Sequence, residues 1–154
     1  MVYAIIRVRG TVNVNPDIKR TLELLRLTKV NHCTLLEENK VYKGMLQKVK
    51  DYTTWGEIDK ETLPKLIESR GLLIGDKQIT TEYIKSATSY NTFEQLSQAI
   101  LDNKFIYKDI PDVKPLFRLS PPHKGYEGIK RSFKNGGALG YRGKEINTLL
   151  GRMI

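Results

Sequence analysis

Hydrophobic and polar positions follow two periods along the chain, and the switches between them mark out elements. Residues 2–8, Val2-Tyr3-Ala4-Ile5-Ile6-Arg7-Val8, are apolar almost without alternation. That predicts a strand buried on both faces and central in its sheet, with Gly10 ending it. Asn15-Pro16 reads as the N-cap and first position of a helix. Ile18, Leu22 and Leu25 then fall on one face at i, i+4, i+7. His32 to Leu36 predicts a second strand, with Glu37-Glu38-Asn39-Lys40 as the loop after it. Tyr42, Met45, Leu46 and Val49 repeat at helical spacing. Tyr52-Thr53-Thr54-Trp55 is β-branched and aromatic, hence a third strand, stopped by Gly56. The order over residues 1–58 is strand, helix, strand, helix, strand.

The remainder predicts more helix. Leu63, Leu66 and Ile67 define one, ended by Gly71 after Arg70. Thr92-Phe93-Glu94-Gln95 is a capping-box pattern, followed by the stripe Phe93, Leu96, Ile100. Pro111, Pro115, Pro121 and Pro122 break regularity. Asn135-Gly136-Gly137-Ala138-Leu139-Gly140-Tyr141-Arg142-Gly143 cannot be a helix interior and is expected to be an extended, hydrogen-bonded loop. Ile146, Leu149, Leu150 and Met153 predict a short amphipathic C-terminal helix.

Charge changes this picture most. The 154 residues carry 26 Lys plus Arg against 17 Asp plus Glu, a net of +9. Such a balance points to a polyanionic partner. The excess is uneven: residues 1–60 are net +4, residues 61–113 net −2, and residues 114–154 net +7. Glu127 and Glu145 are the only acids in the last segment. Clustered cations attract phosphate better than dispersed ones, because their fields add within a Debye length of about 8 Å. No apolar run approaches the ~20 residues of a membrane span. The start, Met1 to Arg7, lacks a charged leader, so a cytoplasmic protein is expected.

Candidate chemistry is sparse. Cys33 is the single cysteine, which excludes an intramolecular disulfide and a multi-cysteine zinc site. His32 and Cys33 are adjacent and point to opposite faces of a strand, so they make no nucleophile–base pair. A Cys33–His123 pair has no local support, and buried cysteine is the ordinary case. Neither HExxH nor CxxC occurs, and no cofactor is implied. A phosphate-binding P-loop would need glycine where Ala138 stands and Ser or Thr where Glu145 stands. The glycines of 136–143 either build turns or let backbone N–H groups approach phosphate.

Basic and aromatic residues interleave from 117 onward: Phe117-Arg118, His123-Lys124-Gly125-Tyr126, Lys130-Arg131-Ser132-Phe133-Lys134 and Tyr141-Arg142. Cations hold phosphates while rings stack on unpaired bases. Phe117 and Phe133 are expected in the core, with RNA contact carried by much of the charge. Arg7 and Arg9, two apart in an extended segment, share a face and can bridge successive phosphates. The competing reading pairs them with Glu37 or Glu38 on a neighbouring strand.

These residues resemble one family, the universal large-subunit ribosomal protein L-thirty, called L-seven in eukaryotes. Ile6-Arg7-Val8-Arg9-Gly10 is similar to its opening strand and glycine. Arg20-Thr21-Leu22-Glu23-Leu24-Leu25-Arg26-Leu27 resembles its first-helix signature. Lys43-Gly44-Met45-Leu46, with Tyr52-Thr53-Thr54-Trp55-Gly56-Glu57, resembles the second helix and third strand of the archaeal and eukaryotic branch. Phe117-Arg118-Leu119-Ser120-Pro121-Pro122 and Gly136-Gly137-Ala138-Leu139-Gly140-Tyr141-Arg142-Gly143 resemble that branch's C-terminal extension. The short bacterial form resembles only about the first 58 residues, and the eukaryotic form has a long basic N-terminal extension. The resemblance is therefore to an archaeal member.

The resemblance implies an α+β fold: a three-stranded, largely antiparallel, ferredoxin-like β-α-β-α-β core over 1–58, first strand central and helices on one face. A helical and irregular extension would occupy 59–154. It also implies a structural, non-catalytic constituent of the large ribosomal subunit that binds large-subunit rRNA in the neighbourhood of 5S rRNA, beside other ribosomal proteins. No membrane or small-molecule substrate is implied. Candidate RNA contacts are Arg7, Arg9, Arg20, Lys43, Arg118, Lys124, Lys130, Arg131, Lys134, Arg142 and Lys144, with Gly136, Gly137, Gly140 and Gly143 letting the backbone lie close to RNA. The net-negative middle would face solvent or a neighbouring protein. The alternatives are a non-ribosomal RNA-binding or ribosome-assembly module, and a small enzyme using Cys33 or His123.

Overall fold

A computed structural model describes residues 2–10 and 12–154. In chain order its elements are β1 (Val2–Arg7), α1 (Pro16–Leu24), β2 (His32–Glu37), α2 (Lys40–Lys48), β3 (Thr53–Glu57), α3 (Thr62–Arg70), α4 (Thr81–Ala87), α5 (Phe93–Leu101), β4 (Phe117–Arg118), β5 (Gly128–Ser132), β6 (Gly137–Tyr141) and α6 (Ile146–Met153). The class is α+β. The strands form one sheet in the order β4-β2-β1-β3-β6-β5. β1 pairs antiparallel with β2 and β3, and β2 pairs antiparallel with β4. β6 runs parallel to both β3 and β5.

All six residues of β1 are buried, and its two faces feed two separate cores. Tyr3 and Ile5 join Leu22 and Leu25 of the α1 segment and Leu46 and Val49 of the α2 segment. Val2, Ala4 and Ile6 join Leu63, Leu66 and Ile67 of α3, Leu96 and Ile100 of α5, and Ile146, Leu149 and Leu150 of α6. Helices therefore cover both faces, not one. An unalternating apolar strand requires this: with a single layer, Val2, Ala4 and Ile6 would face water, at about 1.5–3 kcal/mol for a large aliphatic side chain.

Local signals explain the boundaries. The Asn15 side chain caps α1 by accepting from the Asp17 amide, with Pro16 first in the helix. Asn39 caps α2 by accepting from the Tyr42 amide. Thr92 caps α5 by accepting from the Gln95 amide, and the Gln95 side chain accepts from the Asn91 amide, completing a capping box displaced by one residue. The four apolar positions of α6 are all buried. Gly71 does follow α3, but in an extended conformation with φ −68°, its amide donating to the Ile67 carbonyl at 2.8 Å.

Three expectations change. The sheet has six strands, because β4, β5 and β6 come from the segment expected to be irregular. The Gly136–Gly143 loop is largely strand β6, pinned to β3 by pairing of Thr54 with Gly140 and Trp55 with Tyr141. Gly56 does not stop β3. It sits within it, and a Cβ built there would lie 1.9 Å from the Gly143 carbonyl oxygen. Glycine is needed so that the turn after β6 can pack directly on the β3 backbone.

Gly56→Ala should therefore lower stability by about 1–3 kcal/mol through overpacking, read as a lower urea midpoint at unchanged slope. An unchanged midpoint would contradict the close approach.

Candidate nucleic-acid interface

Burial sorts the predicted cations into two groups. Arg7 is 2% exposed and Arg142 is 5% exposed. Both guanidinium groups face the interior of the fold. Arg7 donates to the carbonyls of Leu27 (2.8 Å), Arg9 (3.0 Å) and Gly10 (3.3 Å), and meets neither Glu37 nor Glu38. Arg142 donates to the Thr54 hydroxyl and the Ala138 carbonyl, each at 2.8 Å, and lies over the Phe133 ring, 5.0 Å from its centroid. Its nearest carboxylate, Glu127, is 3.7 Å away. Burial lowers both arginine pKa values. The two residues are staples within the fold: Arg142 joins β6 to β3, and Arg7 joins the end of β1 to two loops. They are withdrawn from the set of direct contacts.

Two further candidates are exposed but engaged. Lys43 pairs with Glu38 at 2.8 Å. Arg118 lies in β4, at the edge of the sheet opposite β5, and pairs with Asp76 at 3.2 Å. Arg20 is exposed on α1, away from the C-terminal cations in sequence and element.

The other group converges at the end of the sheet where β1 finishes and β3 begins. Arg9 leaves β1, stands over the Tyr52 ring at 5.1 Å from the centroid, and approaches the Asp51 carbonyl at 3.4 Å. Lys50 lies in that same turn. Lys130 of β5 faces Lys50 across a hollow of about 210 Å³, lined also by Asp51, Ser132, Leu139 and Gly140. Arg131 and Lys134 continue the same ribbon and are exposed, as is Lys124. The ribbon is anchored by Val8 packing on Ala138 and Leu139, with Tyr126 against them. Among the described residues, none of Arg9, Lys50, Lys124, Lys130, Arg131 and Lys134 has a carboxylate within 4 Å. Lys144 is also unpaired but lies in the turn after β6, at the other end of that strand.

The glycines have internal roles. Gly136 closes a tight turn at φ 80°, and Gly140 and Gly143 also have positive φ. A Cβ at Gly137 would lie 2.0 Å from the Arg131 carbonyl oxygen, so this glycine lets β5 and β6 close up. Phe117 is wholly buried, as a core residue should be. Phe133 is half-buried beneath Arg142. Lys50 was missed by sequence reasoning. Its signal was the pair Lys48 and Lys50 flanking Val49, which periodicity assigned simply to a helix end.

Cys33 is wholly buried in β2, and burial pushes its thiol above the ordinary value, so thiolate is scarce at neutral pH. Among the described residues, no group of three His, Cys, Asp or Glu is placed to hold a metal ion, and no helix is long and apolar enough to cross a membrane.

A mixed fold whose described residues gather cations without carboxylate partners along one end of its sheet defines the class: an α+β protein with a cationic face. Residues 3–53 match the ribosomal protein L30p/L7e family. The chain is 51% identical over 98% of its length to the large ribosomal subunit protein uL30 of Thermoplasma volcanium, covering 92% of that protein. It is 48% identical to the protein of the same name from Methanocorpusculum labreanum (98% and 99% covered) and 49% identical to that from Methanosphaera stadtmanae (99% of each). The chain belongs to the ribosomal protein L30p/L7e family.

Cys33 should resist iodoacetamide in the native protein and react only as the chain unfolds. Rapid stoichiometric alkylation under native conditions would revive a nucleophilic role.

Proposed function

We propose that this chain is a structural constituent of the large ribosomal subunit that binds large-subunit rRNA, near 5S rRNA, in the cytoplasm and without catalysing a reaction. The observation that carries this reading is the convergence of Arg9, Lys50 and Lys130, none with a carboxylate partner among the described residues. Cations left unpaired by the fold are free to neutralise phosphate, and the counterions released drive association. A-form RNA hides its major-groove edges, so shape and backbone spacing carry recognition. Lys124, Arg131 and Lys134 extend the contact along the β5–β6 ribbon, and Arg20 and Lys144 add to the field at its margins. Lys43 and Arg118 reach RNA only by exchanging a surface ion pair, which is worth little.

We infer further that residues 1–58 form a three-stranded ferredoxin-like RNA-binding core, with 59–154 as an extension. In support, the family match ends at residue 53, and α1 and α2 cover the same face of β1. The extension supplies β5 and β6, and with them four of the six unpaired cations, Lys124, Lys130, Arg131 and Lys134. Neighbouring ribosomal proteins would meet the helical layer, where acidic and basic residues are mixed.

In a direct test, Lys50→Glu combined with Lys130→Glu is titrated against a transcript of large-subunit rRNA over a range of KCl concentrations. The affinity should fall more than tenfold at low salt. The slope of log K against log salt should drop by about 1.4–1.8, since each phosphate no longer neutralised removes roughly 0.7–0.9. Wild-type affinity and slope in that variant would sink the interface. Sucrose-gradient sedimentation separates the roles: a constituent sediments in near-stoichiometric amount with large subunits, whereas an assembly module is found with precursor particles only.

A further inference from the structure

One cation inside the fold has no counter-charge. Arg7 closes β1, and no carboxylate of the described residues lies within 4 Å of its guanidinium. Three main-chain carbonyls hold it instead: Nη1 donates to Leu27, Nε to Arg9 and Nη2 to Gly10. The Arg7 carbonyl in turn accepts from the Asn31 amide at 2.8 Å. A single residue thus ties the loop leaving β1 to the loop entering β2. Only a guanidinium suits the task. It presents five donors in a rigid plane, whereas an ammonium is a point donor and an apolar chain donates nothing.

Keeping an unpaired charge buried is costly, and an apolar side chain at this position would avoid that cost. The compensation lies in what the two loops carry. The first bears Arg9, and the second bears Arg26 and Lys29. Asn31 of the second loop accepts the Tyr126 hydroxyl at 2.5 Å, linking it to the segment that bears Lys124 and Lys130. Arg9 is held in its turn by the Tyr52 ring and the Asp51 carbonyl.

We propose that Arg7 is a positioning residue of the RNA interface. It makes no contact with RNA; anchored on the 26–31 loop through the Leu27 carbonyl, it fixes Arg9 in its binding geometry before RNA arrives. A side chain already ordered loses less freedom on association, so its phosphate contact contributes more. This assignment rests on the RNA-binding reading above.

The test uses the full chain, a large-subunit rRNA transcript, and the variants Arg7→Lys, Arg9→Gln and the two combined. Arg7→Lys keeps the charge but loses the three-carbonyl fork. It should melt cooperatively yet bind roughly tenfold more weakly, the loss expected for one charged hydrogen-bonded contact. Its salt slope should fall by about 0.7–0.9, as should that of Arg9→Gln. The double variant should be no weaker than Arg9→Gln alone, because one residue acts through the other. Losses that multiply, or wild-type affinity and slope in Arg7→Lys, overturn the assignment. Should Arg7→Lys fail to fold, hydrogen exchange at the guanidinium of the wild-type protein decides: the Arg7 Nε–H, which donates to the Arg9 carbonyl, should exchange slowly before RNA is added, and slow exchange that arises only with RNA overturns it. A wild-type chain that shows no salt-dependent affinity defeats the RNA-binding reading itself. One that binds while Arg7→Lys matches it defeats only the role of Arg7.

Discussion

Burial of β1 on both faces is the constraint from which the rest of the architecture follows. Six consecutive buried residues need apolar cover above and below, and α1 and α2 supply it on one side only. The second layer has to come from later in the chain, so α3, α5 and α6 fold back over Val2, Ala4 and Ile6. Their return carries β4 to one edge of the sheet and β6 with β5 to the other. The C-terminal segment is therefore tied into the same sheet as β1, and its cations are delivered to a fixed place.

That place is set by register. β6 runs parallel to β3, with Thr54 opposite Gly140, so the start of β6 and the adjoining β5 project past the start of β3. There they meet the turn that carries Lys50 and the residues leaving β1. Arg142 holds the register from inside, bonded to Thr54 and Ala138. Two arginines with similar sequence surroundings to the surface cations thus act as internal braces, while less conspicuous lysines make the exposed surface. Charge decides that the partner is a polyanion; packing decides which charges it can reach.

Much of this was legible along the chain. Continuous apolarity announced β1 as central and doubly buried, and caps at Asn15 and Thr92 marked helix starts because their side chains satisfy orphan amides locally; Asn39, read as loop, does the same for α2. Other features depended on partners distant in sequence. β6 reads as loop because glycine has low strand propensity, and it becomes a strand only where β3 offers its edge. α4 buries one side chain, Ile84, too little for a periodic signal. Gly56 signalled a break, since nothing local reveals that the Gly143 carbonyl packs against it. The fate of Arg7 and Arg142 was hidden for the same reason: an arginine written beside apolar residues looks available until the carbonyls that consume its donors are brought to it.

Lysine labelling inside intact large subunits measures most directly whether this end of the sheet lies against RNA. Lys50 and Lys130 should be shielded from acetylation in the assembled particle and become reactive after ribonuclease digestion, while Lys65 on α3 and Lys85 on α4 should show no ribonuclease-dependent change. Equal labelling of Lys50 and Lys130 in the intact particle and in the free protein would contradict the account.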